Sequence, residues 1–234
     1  ARLKMSKIIA IHQPNYIPWL GFFHKIKSSD CFVILDNVDY QSGNSTSITN
    51  RCILKTANGT QQITVPVQKS VSKTIHQILI DNKQPWKKKQ LKTISLAYSK
   101  SKYYDEIFQI IEKIINNKHE KLVTLNIQLI EFICSYLKIT TPIKIASGLG
   151  LMETDKNLRI IEICEKLNGS IYLSGNGAKK YNQVELFDLH KLKLQYTTYT
   201  PIQYFQLYGS FNPKLSVLDA LFNCGSATIN LLNG

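Results

Sequence analysis

Four short stretches of this chain combine titratable or polar side chains with turn-forming residues, a mixture poorly suited to a plain core. The first is His12-Gln13-Pro14-Asn15-Tyr16-Ile17-Pro18-Trp19. A histidine ending a buried strand can act as a general base or hydrogen-bond donor because its pKa lies near neutrality. It can equally lock the loop as a satisfied polar group. The second stretch pairs Asp36 with the downstream Asn50-Arg51. Arg51 could clamp a carboxylate or phosphate through two parallel N–H groups, or simply ion-pair with Asp36. The third, Ser174-Gly175-Asn176-Gly177-Ala178-Lys179-Lys180-Tyr181, has a strand running into a Gly-x-Gly turn and two lysines. Backbone N–H groups there could wrap an anion, although the spacing is neither a Walker motif nor the dinucleotide fingerprint. The fourth is the last amphipathic helix, where Leu215, Leu218 and Phe222 share a face flanked by Ser216, Asp219 and Asn223. A carboxylate beside a buried stripe needs a partner. His12, Arg51 and Tyr204 are the candidates for Asp219. Cys224 follows, a nucleophile if a base adjoins it and a packed thiol otherwise.

The elements that must position these residues read as a single α/β domain over residues 7–225, with a mostly parallel, Rossmann-like sheet, a β-hairpin and a central helical segment. Lys7 to Gln13 suits a buried strand, Pro14 and Pro18 break the chain into a loop, and Trp19 to Ser28 has helical spacing. Cys31 to Leu35 follows as a strand, giving the opening of a βαβ unit. A ligand is then expected beyond the carboxyl end of the first strand, where His12 and Gln13 sit, with Asp36 on the same edge. Gln41 to Asn50 reads as a polar loop, and Asn58-Gly59 as a hairpin turn between Arg51–Lys55 and Gln61–Val67. Two amphipathic helices carry Ile107 to Ile114 and Leu122 to Tyr136. A strand is expected over Lys144 to Ser147, then a helix from Asp155 stopped by Gly169, then strands over Ile171 to Ser174 and Leu192 to Tyr199. The final helix spans about Leu215 to Asn223, stopped by Gly225.

Composition bounds the function. No run of eighteen apolar residues exists, so no membrane span is expected, and the first residues lack the apolar stretch of a secretion signal. Residues 1–4 read as an expression remnant outside the fold. The five cysteines are odd in number and scattered without a C-x-x-C pair, which argues for reduced thiols and a cytoplasmic protein. The histidines show no metal spacing, so no metal is expected and the cofactor is left unassigned. A formal charge of +13 invites a phosphate or nucleic-acid partner, but most lysines fall on amphipathic helices where solvated charge is ordinary; the one tight cluster is Lys87-Lys88-Lys89 with Lys83 and Lys92.

The stretch Ile11 to Ile26 closely resembles the signature of the WbqC-like family of bacterial surface-polysaccharide gene clusters. So do Asn50-Arg51, Thr64-Val65-Pro66-Val67, Trp86 opening a basic helix, Tyr172-Leu173-Ser174-Gly175 with Gly177 and Tyr181, Gly209 to Pro213, and Leu215 to Gly225. One departure is visible: the family often carries a histidine after Trp86, where this chain reads Lys87-Lys88-Lys89. The resemblance implies a transferase of O-antigen biosynthesis that attaches glycine, or another small acyl unit, to the amino group of a nucleotide-linked sugar. His12 would then take the proton and Asp219 orient it. Arg51 with Lys179 or Lys180 would hold phosphate, and Gln13, Asn15, Tyr16, Trp19, Asp36, Ser174, Tyr181, Tyr204 and Ser216 would line the substrate site. An aminoacyl-tRNA donor would give the basic surface a purpose. A non-catalytic sugar-nucleotide binder, stacking on Tyr16, Trp19, Tyr181 and Tyr204, is the alternative from another class.

Overall fold

The computed structural model describes residues 6–41, 48–69 and 73–234. Residues 1–4, expected to be an expression remnant, and most of the polar loop expected over Gln41 to Asn50 lie outside them. In chain order the elements are β1 (Ile8–His12), α1 (Leu20–Lys27), β2 (Cys31–Ile34), β3 (Arg51–Thr56), β4 (Gly59–Thr64), α2 (Trp86–Tyr98), α3 (Tyr104–Asn116) and α4 (Leu122–Tyr136). They continue with β5 (Ile143–Ile145), α5 (Lys156–Lys166), β6 (Ile171–Ser174), α6 (Val184–Leu189), β7 (Lys193–Tyr196), α7 (Val217–Cys224) and α8 (Thr228–Leu231). Five strands form one sheet in the order β5-β2-β1-β6-β7, and every pairing is parallel. The α/β reading with a parallel sheet and a separate hairpin therefore holds; β3 and β4 pair antiparallel across a turn where Gly59 takes φ +105.

β1 is central and covered on both faces, which is why it reads as an unbroken apolar run. Ile9 and Ile11 face a core shared with Cys31, Val33, Tyr172 and the apolar stripe of α5, namely Ile160, Ile163 and Cys164. Ala10, Phe32, Ile34 and Leu173 face the larger core, built from α1, the hairpin, α2, α3, α4 and α7. The strand order runs outward from β1 through β2 to β5, then resumes on the other side of β1 with β6. The switch point lies between β1 and β6, and in open parallel sheets ligands favour the crevice beyond the carboxyl ends at such a point. Among the described residues no helix is long and apolar enough to cross a membrane.

Several element ends differ from the sequence expectation for identifiable reasons. β5 stops at Ile145 rather than Ser147, because the Asp36 carboxylate takes both the Ser147 N–H (2.8 Å) and its hydroxyl (2.7 Å). β7 pairs only to Tyr196, opposite the last residue of β6; the Thr197 N–H still donates to the Ser174 carbonyl (2.9 Å), and beyond it β6 offers nothing to pair with. The left-handed residue after α5 is Asn168 (φ +55), one position before the expected Gly169. Asp155 caps α5 as expected, accepting from the N–H groups of Asn157 and Leu158. α2 is unusual: Pro85 precedes it, no side chain caps it, and its first turn holds Lys87 and Lys88 with no acidic residue. Cations at the positive end of a helix dipole cost roughly 0.3–1 kcal/mol each unless an anion or carbonyl answers them.

Candidate functional site

The loop from Gln13 to Trp19 is fixed at several points. The Pro14 carbonyl accepts from Asn126 Nδ2 (3.1 Å), and the Tyr16 N–H donates to the Ile48 carbonyl (3.1 Å). The Ile17 carbonyl accepts from the Ser216 hydroxyl (2.8 Å), and the Pro18 carbonyl from the Val217 N–H (2.8 Å). Ser216 is at once the N-cap of α7 and the clamp on this loop. These ties hold Ile17 at φ +41, a conformation that a β-branched residue does not adopt unforced. Strain of this kind persists only where surroundings over-determine it, and it concentrates at ligand sites.

The loop, the hairpin and the start of α7 enclose a cavity of about 260 Å³ lined by Asn15, Tyr16, Trp19, Arg51, Cys52 and Ser216, among others. Two of these lining residues carry a buried donor with no partner among the described residues: Nδ2 of Asn15, a residue 2% exposed, and Nε of Arg51. Leaving a buried donor unpaired costs about 1–3 kcal/mol, so two of them beside one cavity call for an acceptor there. Trp19, 40% exposed, forms one wall. Its indole lies so close over Gly21 that a Cβ there would sit 2.3 Å from the ring, which accounts for the glycine. The Tyr16 ring is buried and its hydroxyl turns away from the cavity, donating to Gln90 Oε1 (2.6 Å). Burial pushes the Cys52 thiol up to about 12, so it lines the cavity as a neutral group. Two donors beside a flat aromatic wall suit an anion attached to a ring.

His12 sits one loop away, at the carboxyl end of β1 beside the switch point. Its Nδ1 donates to the Gln13 carbonyl (2.9 Å), which leaves Nε2 as the basic nitrogen. The ring meets Phe22 edge-on, with centroids 5.0 Å apart. Burial first, and the nearby Lys25 charge second, push its pKa down to about 4. Lys25 is itself only 4% exposed; its ammonium donates to the Ile11 carbonyl (2.7 Å), and burial brings its pKa down to about 7. Sequence reading missed Lys25. The signal was there: it falls three residues after Phe22, on the inward face of α1.

The other expected residues disperse. Asp36 does lie at the carboxyl edge of the sheet, but its carboxylate is spent on Ser147 and makes no ion pair with Arg51. Among the described residues Arg51 forms no salt bridge. Asp219 is fully buried and takes hydrogen bonds from Tyr98 (3.0 Å) and Tyr204 (2.9 Å), with Asn223 alongside. Of the three candidate partners, then, Tyr204 is the one that meets it, and the carboxylate does not orient His12. Burial raises the Asp219 pKa against the pull of the two phenols and Lys55. Lys55, also buried, binds Gln206 and the Gly209 and Ser210 carbonyls, so the group ties β3, α2, α7 and the segment 204–212 together. Cys224 is half-buried; desolvation, then the Asp219 charge, raises its pKa, which keeps it a thiol.

The Gly-x-Gly segment forms a 3₁₀ turn, Asn176–Tyr181, and neither glycine takes a positive φ or meets a close neighbour. Ser174 is buried and accepts from Asn182 Nδ2 (3.0 Å). Lys179 lies over the Tyr196 ring, while Lys180 and Lys156 flank the Tyr181 ring. Ser174 ends β6, the strand that pairs with β1, but the two lysines lie on their own aromatic patch and do not line the Arg51 cavity. Among the described residues no group of three or more metal-ligating side chains is gathered.

Comparison with known proteins accords with this arrangement of motifs. The family model described as the WbqC-like protein family matches residues 13–231. A Mycobacterium tuberculosis protein described as uncharacterized is 35% identical over 225 residues, which covers 94% of this chain and 95% of its own length. No solved structure matches significantly.

Proposed function

The chain belongs to the WbqC-like protein family, and from that premise we propose that it is a transferase of bacterial surface-polysaccharide biosynthesis whose cavity holds the phosphate of a nucleotide-linked amino sugar. One observation carries the reading. Asn15 Nδ2 and Arg51 Nε, two donors without partners among the described residues, line one cavity with Trp19 as its aromatic wall. Arginine and amide N–H groups suit phosphate oxygens, and the indole suits a sugar or base.

The group transferred is glycine or another small acyl unit. The sugar amine attacks the activated acyl carbon, and the leaving group departs with the electron pair of its bond to that carbon. An imidazole with a pKa of about 4 is unprotonated at neutral pH but weakly basic. It therefore takes the proton at Nε2 only once C–N bond formation has made the nitrogen acidic. Asp219 has no part in this, because Tyr98 and Tyr204 occupy its carboxylate. A nucleotide-linked acceptor places the reaction in the cytoplasm.

The test is turnover with a nucleotide-linked amino sugar and activated glycine, the product followed by mass. His12→Ala is expected to lower turnover by about 100-fold or more with nucleotide binding retained, whereas Arg51→Ala weakens binding. Unchanged turnover in His12→Ala removes that residue from the mechanism. Binding without turnover under every donor would leave a sugar-nucleotide-binding protein.

A further inference from the structure

The Tyr16–Gln90 hydrogen bond separates the Arg51 cavity from a second concavity. This groove, about 500 Å³, runs between the exposed strand β4 and the first turns of α2; Gln62, Thr64, Trp86, Lys89, Gln90 and Thr93 line it. Gln62 lines the Arg51 cavity as well, so the two spaces adjoin.

Three features of the groove point the same way. The first turn of α2, the positive end of a thirteen-residue helix, has no side-chain cap and no acidic residue. Lysines crowd that end. Lys87 is answered by the Asn117 carbonyl (2.7 Å) beyond the C-terminus of α3, but Lys89 has no acidic partner among the described residues. Asp81, the nearest acid along the chain, is engaged with Gln84 Nε2 (2.7 Å) and the Lys83 N–H (3.3 Å). The third feature is independent of the helix end: Gln90 is 3% exposed, its Oε1 is held by Tyr16, and its Nε2 has no partner among the described residues. Gln90 lines the groove, so this amide is a spare donor at its wall.

We infer that this groove is a second binding site, for a phosphate ester. The groove's wall at α2 offers the helix end, an ammonium and an amide. Such a set matches the tetrahedral oxygens of a phosphate better than the planar pair of a carboxylate. A transferase needs two substrates, and this site lies beside the one assigned to the nucleotide-linked sugar. It takes the phosphate-bearing activated donor, and the Tyr16–Gln90 pair forms the wall between the two.

The experiment titrates the full chain with adenosine 5′-monophosphate by calorimetry, with adenosine as the control lacking phosphate. The wild type is expected to bind two equivalents. Lys89→Glu, at an exposed position that leaves folding untouched, weakens one of them roughly tenfold or more. Gln90→Glu does the same while keeping an acceptor for the Tyr16 hydroxyl. Arg51→Ala weakens only the other equivalent. Wild-type binding in both Lys89→Glu and Gln90→Glu, or adenosine binding as tightly as its monophosphate, overturns the proposal. If Arg51→Ala changes nothing while Lys89→Glu abolishes one equivalent, the groove stands and the reading of the Arg51 cavity falls.

Discussion

Lys25 offers a stability signature whose sign and size follow from its surroundings. Its ammonium is almost wholly buried, holds one hydrogen bond to the Ile11 carbonyl, and has a folded pKa of about 7 against an ordinary value of 10.5. Between those values the unfolded chain carries a proton that the native state has lost. Unfolding therefore takes up a proton, and stability rises with pH across that window. Below about pH 7 both states are protonated and the full penalty is present; above about pH 10.5 it is gone. The displacement from 10.5 to about 7 amounts to about 5 kcal/mol. The perturbation is Lys25→Met, which keeps the stem and removes the charge. Urea unfolding of both proteins at intervals from pH 7 to pH 10 gives the difference, in which every other titration cancels. Wild-type stability should gain on the variant steadily as pH rises. Parallel curves would mean that the ammonium reaches water, and the packing argument at the end of β1 would fail with it.

Asp219→Ala should cost about 2–5 kcal/mol in denaturant unfolding, since it strands the Tyr98 and Tyr204 hydroxyls and leaves Lys55 less well balanced. Nucleotide binding by the folded fraction should stay intact; a binding loss at unchanged stability would return Asp219 to the site. Ser216→Ala removes both the cap of α7 and the clamp on the Ile17 carbonyl, and should lower stability by about 1–2 kcal/mol. Gly225 takes φ +56 and a Cβ there would lie 2.6 Å from the Tyr103 ring, so Gly225→Ala should cost at least about 1 kcal/mol, read as a lowered unfolding midpoint.

Much of the fold was legible because local rules and tertiary packing agreed. The apolar run from Ile8, the Asn58-Gly59 turn, the stripe of α5 and the Asp155 cap each act within a few residues of themselves. The strand ends were not, because their limits are set by distant partners: Asp36 stops β5, and the length of β6 stops β7. The candidate site divided in the same way. Asn15, Tyr16, Trp19, Arg51 and Ser216, chosen for residue type and motif, meet around one cavity. Spacing along the helix marks Asp219 as a carboxylate in need of a partner and offers Tyr204 among three, but it gives a face without saying which of them opposes it; Tyr204 does, and the pairing with His12 fails. Gln90 was invisible: nothing in a polar helical position announces that its amide is buried with one end tied to Tyr16. Lys25 and Lys55 were hidden differently, as lysines on inward faces where composition alone suggests solvent.

The claim on which the functional account turns is that the Asn15 amide is held for a ligand rather than for the fold. Asn15→Leu, of similar volume, removes a donor that lacks a partner among the described residues, so folding stability should hold or rise. Titration with a nucleotide-linked amino sugar should show affinity weakened roughly tenfold or more in the same variant. A variant that binds as tightly as the wild type while losing stability would contradict the account, for Asn15 would then serve the loop alone.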